Sequence, residues 1–423
     1  MNGCIFKNMT RVVIFFSAFS AVAIFFDIYF YFGVKSVFSS GKYSNFFRTG
    51  YWSLSSLYYA FLIFYFFNIV FQSESGKIGK LIGQMIFFGL FVPKILASSV
   101  LIVDDFVRLI RWIAKFFSDS TMEVETNEVS GLSRLRFLQM SALGTFGIAL
   151  SSMTYGILKG AYNYTIHKHK LKIPNLPNEF VGMKIAQISD LHVGSFLSLE
   201  PMKEAVEIIN KLDIEMLFFT GDLVNDKAEE AVEFIDVFKN IKHKVYSVMG
   251  NHDYPEYIYA KDDHIARQHN FDLMMDVQKK MDFELLMNEN RIIERNGKKL
   301  AIIGIENWGG SFTQYGDMEK AVLGSELADV KLLLSHDPSH WDLEIKKSYK
   351  DIDVMFAGHT HGMQFGIEAF GIKFSPVQWK YKQWAGLYKE KKQQLYVNRG
   401  LGFIGYPGRV GISPEISVFE LTK

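Results

Sequence analysis

Cysteine is almost missing: Cys4 stands alone in 423 residues, which excludes an internal disulfide and any cysteine-based metal site. Excess charge is missing too. Lys and Arg number 46 against 45 Asp and Glu, a formal net charge of +1, so neither a nucleic-acid footprint nor an acidic tail is present. No internal repeat or low-complexity tract interrupts the chain, and its length suits two domains rather than a small stapled scaffold. The first 160 residues are poor in charge and crowded with apolar and aromatic side chains, whereas the rest has the mixture of a soluble α/β protein. That split predicts a membrane domain over 1–160 followed by a globular one.

Four apolar stretches carry the membrane reading. Val12–Val34 holds one charge, Asp27, and is long enough to cross about 30 Å of hydrocarbon; it is too long and wrongly flanked for a cleaved signal peptide. Tyr51–Phe71 is uncharged and rich in the Tyr and Phe that populate bilayer interfaces. Leu81–Val103 contains Pro93 and Lys94 and reads as a kinked span or a re-entrant segment, since a mid-helix lysine costs about 2.5–3.5 kcal/mol on insertion scales. Phe137–Leu158 carries small residues, Ser141, Ala142, Gly144 and Gly147 among them, that permit close helix packing. Between the last two, Asp104–Ser120 sets Phe106, Leu109, Ile110, Ile113 and Phe117 against Arg108, Arg111 and Lys115, the pattern of an interfacial helix or of an extended third span. Asp27 has no partner visible in the sequence.

Four spans place both termini on one side, but the Lys and Arg counts of the loops do not choose which. Ser133–Leu138 resembles a twin-arginine export signal, except that Leu135 separates Arg134 from Arg136. Read instead as two arginines anchoring a helix at the cytoplasmic face, it again puts the following domain outside.

Residues 161–182, with His167, Lys168, His169, Lys170 and two prolines, read as a juxtamembrane linker to a domain over 183–423. There the pattern turns to apolar strand, loop and amphipathic helix, repeated, then to hairpins such as the one around Asn296–Gly297, which gives an α/β layered fold. Donor residues follow several of the buried runs: Asp190 and His192, then Asp222, Asn251 with His252 and Asp253, His336, and finally His359 and His361. In open α/β sheets, ligands gather beyond the carboxyl ends of strands, so these loops should converge. Carboxylate, amide oxygen and imidazole suit hard or borderline divalent ions, and only a carboxylate offers two oxygens to a pair of them, which makes Asp222 the candidate bridge. Gly221, Gly250 and Gly358 let the backbone bend beside the ions.

In order, D-x-H, G-D, G-N-H-D, H and G-H-x-H resemble the pattern of the calcineurin-like metallophosphoesterase superfamily, over roughly Lys172–Lys423. The hydrophobic front end looks like that of its transmembrane members, some of them bacterial envelope proteins. The resemblance implies a layered β-sandwich flanked by helices and two divalent ions, Mn, Fe or Zn. One ion would take Asp190, His192, Asp222 and His361, the other Asp222, Asn251, His336 and His359. It implies attack on phosphorus by a water bridging the ions, with His252 beside the leaving group and Asp253 orienting it. The expected protein is a phosphoesterase of a bacterial cytoplasmic membrane, acting on a phosphorylated small molecule or lipid; a receptor or scaffold that binds such a ligand without turnover is the rival. Arg399 and Arg409, beside glycines, are candidates for a phosphate clamp, with a salt bridge as the alternative. Residues 370–392 interleave Phe374, Trp379, Tyr381, Trp384 and Tyr388 with lysines, which suits either a membrane–water interface or a hairpin packed on the domain edge.

Overall fold

Residues 2–39, 41–70, 77–117, 134–369 and 371–423 are described by the computed structural model. Phe71 of the second apolar run, residues 118–120 of the amphipathic stretch, Ser133 of the arginine motif and Phe370 lie outside them. The chain divides into Met1–Tyr155 and Gly156–Lys423.

In Gly156–Lys423, neighbouring residues of one apolar run serve two different cores. Ile185 and Phe218 face the space between two sheets, whereas Ala186 and Leu217 face a layer of helices. Leu332 and Leu333, and Phe356 and Met355, divide likewise between the inter-sheet core and a second helical layer. With both faces covered, such strands read as continuous apolar runs rather than as alternating ones.

The first sheet holds β1 (Thr165–Lys172), β2 (Lys184–Ile188), β3 (Met216–Phe219), β4 (Lys244–Ser247), β5 (Phe283–Leu285) and β14 (Glu415–Thr422), in the order β1-β14-β2-β3-β4-β5. The second holds β6 (Glu289–Arg295), β7 (Lys298–Gly304), β8 (Val330–Leu334), β9 (Val354–Ala357), β12 (Gly386–Glu390) and β13 (Gln393–Val397), in the order β12-β13-β9-β8-β7-β6. β10 (Ile367–Ala369) and β11 (Ile372–Phe374) form a separate antiparallel hairpin. β2, β3 and β4 run parallel, as do β7, β8, β9 and β13, so each sheet sends several carboxyl ends the same way.

The stretch 161–182 is not the linker that the sequence suggests. It contributes β1, paired in parallel with β14 from Thr165↔Glu415 to Lys172↔Thr422. Its period-two pattern carries His167, His169 and Leu171 on the inner side and lysines on the outer, with the Tyr396 hydroxyl 2.9 Å from His169 Nε2. Histidine in place of Val or Ile disguises the strand.

Three helical segments among the described residues are long and apolar enough to cross a membrane: Phe16–Phe38, Leu81–Phe117 and Arg134–Tyr162, the last beginning in Met1–Tyr155 and ending just past it. Gly41–Val70 is a further continuous helix, rich in Tyr and Phe. Pro93 follows a π-helical turn, Phe87–Phe91, and the helix then continues from Val92 to Phe117. The amphipathic stretch from Asp104 to Phe117 thus continues the helix that bears Pro93 and Lys94 and is not a separate interfacial helix. Asp27 and Lys94, each unexplained in the sequence, form a buried ion pair. The Tyr51 and Tyr59 hydroxyls donate to the same carboxylate at 2.7 and 2.8 Å, and Lys94 Nζ reaches Ser55 Oγ at 3.2 Å. A buried charge in apolar surroundings persists when it is paired and hydrogen-bonded, which removes the main objection to Lys94 within a span.

Candidate metal centre

The loops that leave β2, β3, β4, β8 and β9 meet at one end of the sandwich because each follows the carboxyl end of a parallel strand. They are stitched together by backbone bonds: Asp190 N–H donates to Gly221 O at 2.8 Å, Leu191 N–H to Asp222 O at 2.8 Å, and Gly358 N–H to His336 O at 2.9 Å. That stitching holds an uncommon backbone. Asp190, His192, Asp222, His359 and His361 all have φ between 43° and 71°, the left-handed region, at a cost on the order of 1 kcal/mol each. Gly250 is required by close approach, since a Cβ there would stand 2.2 Å from Asp222 Oδ1.

Two triads of donors result, Asp190 with His192 and His361, and Asp222 with His336 and His359; in each, the donor atoms lie within 4.8 Å of one another. His361 Nε2 is 3.1 Å from Asp190 Oδ1 and 3.0 Å from His192 Nε2. Asp222 Oδ2 lies between the triads, 3.1 Å from His336 Nε2 and 3.6 Å from His192 Nε2. The outer nitrogens explain which ring atom faces inward. His192 Nδ1 donates to Val224 O at 3.0 Å and His336 Nδ1 to Thr220 O at 2.7 Å, which turns each Nε2 toward the centre. His359 is turned the other way, with Nδ1 3.2 Å from His336 Nε2 and Nε2 2.8 Å from the Tyr381 hydroxyl. Asn251 Nδ2 donates to the Tyr257 hydroxyl at 2.7 Å, and its Oδ1 is buried with no hydrogen-bond partner. A buried oxygen left bare costs about 1–3 kcal/mol; a cation at this point would relieve it. The donor set therefore fits two divalent ions sharing Asp222.

Electrostatics point the same way. Burial opposes ionisation of Asp190 and Asp222, yet the surrounding imidazoles outweigh it and hold both carboxyls below the usual range. Burial holds His359 down to about 4 and His192 well below its ordinary value, so both offer neutral nitrogens. His336 is the exception: burial is overcome by the Asp222 carboxylate, which pushes it up to about 10. Without a cation the cluster keeps a proton there, and a bound cation displaces it.

Asp253 does not orient His252. Its carboxylate accepts the backbone N–H groups of Asp222, Leu223 and Gly250 at 2.9, 2.7 and 2.9 Å, tying the β3 and β4 loops together. Burial and the neighbouring Asp222 charge push its carboxyl up to about 7. His252 is oriented instead by Nδ1 donation to Asn225 O at 2.6 Å and by stacking on Tyr257, 4.5 Å between ring centroids.

The two arginines are no phosphate clamp either. Arg399 is bidentate to Glu368, at 2.6 and 2.8 Å, and pairs with buried Glu415 at 2.5 Å. Arg409 is spent on carbonyls, donating to Arg399 O at 2.9 Å, Gly400 O at 3.1 Å and Gly402 O at 3.0 Å. Both guanidiniums brace the loop after β13. Arg399→Gln is accordingly expected to lower thermal stability while KM stays within about twofold, as a melting curve beside steady-state kinetics would show.

In the aromatic and basic segment, Trp384 is buried against Ala385 and Ile412, and the Tyr388 hydroxyl accepts the Trp384 N–H at 3.1 Å, so these two belong to the domain edge. Trp379 is 78% exposed. Sequence reading missed three neighbours of the centre: Tyr257, Tyr381 and Asp337. Asp337 Oδ2 is buried, without a hydrogen-bond partner among the described residues, and 3.9 Å from His359 Nε2. Its place directly after His336 was the available signal.

Residues 183–363 match the family profile described as calcineurin-like phosphoesterase, and 10–161 match one described as probable calcineurin-like phosphoesterase, transmembrane domain. The chain belongs to the calcineurin-like metallophosphoesterases, in their transmembrane form. Among relatives of this metallophosphoesterase, the uncharacterized metallophosphoesterase YkuE of Bacillus subtilis is 28% identical over 316 residues, 69% of this chain and 98% of the relative. Phosphodiesterase YaeI of Escherichia coli is 26% identical over 296 residues, 69% of this chain and 99% of the relative. A transmembrane protein with metallophosphoesterase domain from Danio rerio is 24% identical over 280 residues, 64% of this chain and 60% of the relative.

Proposed function

We propose that this metallophosphoesterase hydrolyses phosphate esters or pyrophosphates of membrane-associated, lipid-linked compounds, with Asp190, His192, Asp222 and His361 holding one divalent ion and Asp222, Asn251, His336 and His359 the other. The observation that carries the reading is the pair of donor triads with Asp222 Oδ2 lying between them, 3.1 Å from His336 Nε2 and 3.6 Å from His192 Nε2, beside the bare oxygen of Asn251. Two such ions supply hydroxide at neutral pH and offset charge on a phosphoryl group. The chain does the rest. Asp222 and Asp190 are kept ionised and accept the backbone N–H groups of His252 and His359, and the imidazoles are fixed before any substrate arrives by the bonds of His336 to Thr220 O, His192 to Val224 O and His359 to Tyr381. His252, with Nδ1 committed to Asn225 O, keeps Nε2 free to exchange a proton with the departing oxygen. The reading includes Mn, Fe or Zn as the ions. It also includes four spans and an outward-facing catalytic domain in a bacterial cytoplasmic membrane, supported by the helix Gly41–Val70 beside the three more apolar ones and by Arg134 and Arg136 at the head of the last.

The test is hydrolysis of bis(p-nitrophenyl) phosphate and p-nitrophenyl phosphate by the full-length protein in detergent with Mn. The name of the E. coli relative makes the diester the first to try. His252→Ala is expected to lower kcat roughly a hundredfold with metal content unchanged. Full metal occupancy with no turnover of either ester would shift the reading to ligand binding without catalysis.

A further inference from the structure

Beside the loop that bears His359 and His361, the surface changes character. Met363, Ile367, Ile372, Phe374 and Trp379 are 56, 52, 58, 36 and 78% exposed, all within one short segment that includes the β10–β11 hairpin. Single exposed apolar residues are ordinary, but a contiguous cluster marks a surface that meets something apolar. The segment is anchored rather than loose. Ser375 Oγ donates to Gly362 O at 2.8 Å, Gly366 N–H to Val410 O at 2.9 Å, and Thr360 Oγ1 to Trp384 O at 2.6 Å.

Its charge is one-sided. Glu368 is consumed by Arg399, and the Lys373 amine turns inward onto Ala385 O, 4.9 Å from the Trp384 ring. Lys380 and Lys382 remain exposed. Lys380 Nζ lies 5.3 Å from the Tyr381 ring and 5.8 Å from the Phe312 ring. These two rings in turn flank His359, through the 2.8 Å hydroxyl contact and a 5.0 Å edge contact. Apolar tip, lysine and metal ligand thus follow one another along a continuous edge. Apolar and aromatic side chains beside lysines suit the boundary of an anionic bilayer, and a chain with membrane-spanning helices works next to one.

We propose that residues 363–369 and 371–382 dock on an anionic lipid surface, and that Lys380 receives the phosphate of a lipid headgroup at the entrance to the metal centre. This rests on the phosphoesterase reading for its substrate, but the docking itself can be measured without turnover. Trp379→Cys, made in a Cys4→Ala chain and labelled with an environment-sensitive fluorophore, would be placed in nanodiscs of phosphatidylcholine with or without phosphatidylglycerol. Glu294→Cys on β6 serves as the control position. The expected result is a blue shift and quenching by nitroxide-bearing lipid at position 379, stronger with phosphatidylglycerol, and neither at position 294. A probe at 379 that stays in water, or one shielded equally in both lipids as by a protein neighbour, overturns the proposal.

Activity separates the two readings. Ile372→Ser with Trp379→Ser is expected to lower turnover of phosphatidate in anionic discs about tenfold, leaving bis(p-nitrophenyl) phosphate turnover unchanged. Equal loss toward both substrates would count against docking. Lipid quenching at 379 in a protein that hydrolyses neither substrate would keep the docking and remove the phosphoesterase reading instead.

Discussion

Asp222→Asn is expected to abolish turnover, with kcat reduced about a thousandfold, and to leave no more than one ion per chain by elemental analysis. The change keeps the shape of the side chain and its acceptor for the His252 N–H, which Oδ1 now receives at 2.9 Å. What it removes is the negative charge and the second equivalent oxygen between the triads, 3.1 Å from His336 and 3.6 Å from His192. With the remaining oxygen held by the His252 N–H, the amide nitrogen would stand in place of Oδ2 and point a donor at both triads. Two ions per chain in the variant, with activity near that of the parent, would show that Asp222 is not shared.

Asp253→Ala is expected to act on stability before it acts on chemistry. Three backbone N–H groups of two loops lose their carboxylate acceptor, at about 1–2 kcal/mol each, so a loss of about 3–6 kcal/mol follows. The melting midpoint of metal-depleted protein should fall well below that of the parent, and metal affinity should fall with it because Asp222 N–H is one of the three. If melting and metal content were unchanged while kcat alone dropped, the carboxylate would be acting on His252 after all.

The contrast between these aspartates shows what the sequence could and could not disclose. Asp222 was legible because its role depends on residue type and order: a glycine before it, a strand before that, and the other donors at loop positions that the strand pattern brings to one end. Asp253 was also visible, but its partners are backbone groups thirty-one and thirty residues earlier, Asp222 and Leu223, and no pattern of side chains reports where an N–H points. Arg399 and Arg409 misled for the same reason, since a glycine-flanked arginine near a phosphate site looks alike whether its donors are free or committed to Glu368, Glu415 and three carbonyls. The core strands were easy to place because both faces are buried. β1 was not, because its inner positions are histidines. Lys94 and Asp27 each stand out as a misplaced charge, but at 67 positions apart their pairing appears only once the helices pack.

β14 lies between β1 and β2 in the first sheet, so the earliest strand of the catalytic half has the latest one as its partner. During synthesis β2, β3 and β4 can find one another in turn, while Thr165–Lys172 waits with an unpaired edge until Glu415–Thr422 has left the ribosome. Any chain that stops short of β14 carries two bare strand edges, the usual starting point for aggregation or degradation. A copy truncated before Glu415 would expose both edges, and is expected to aggregate or be degraded rather than accumulate as a partly active enzyme.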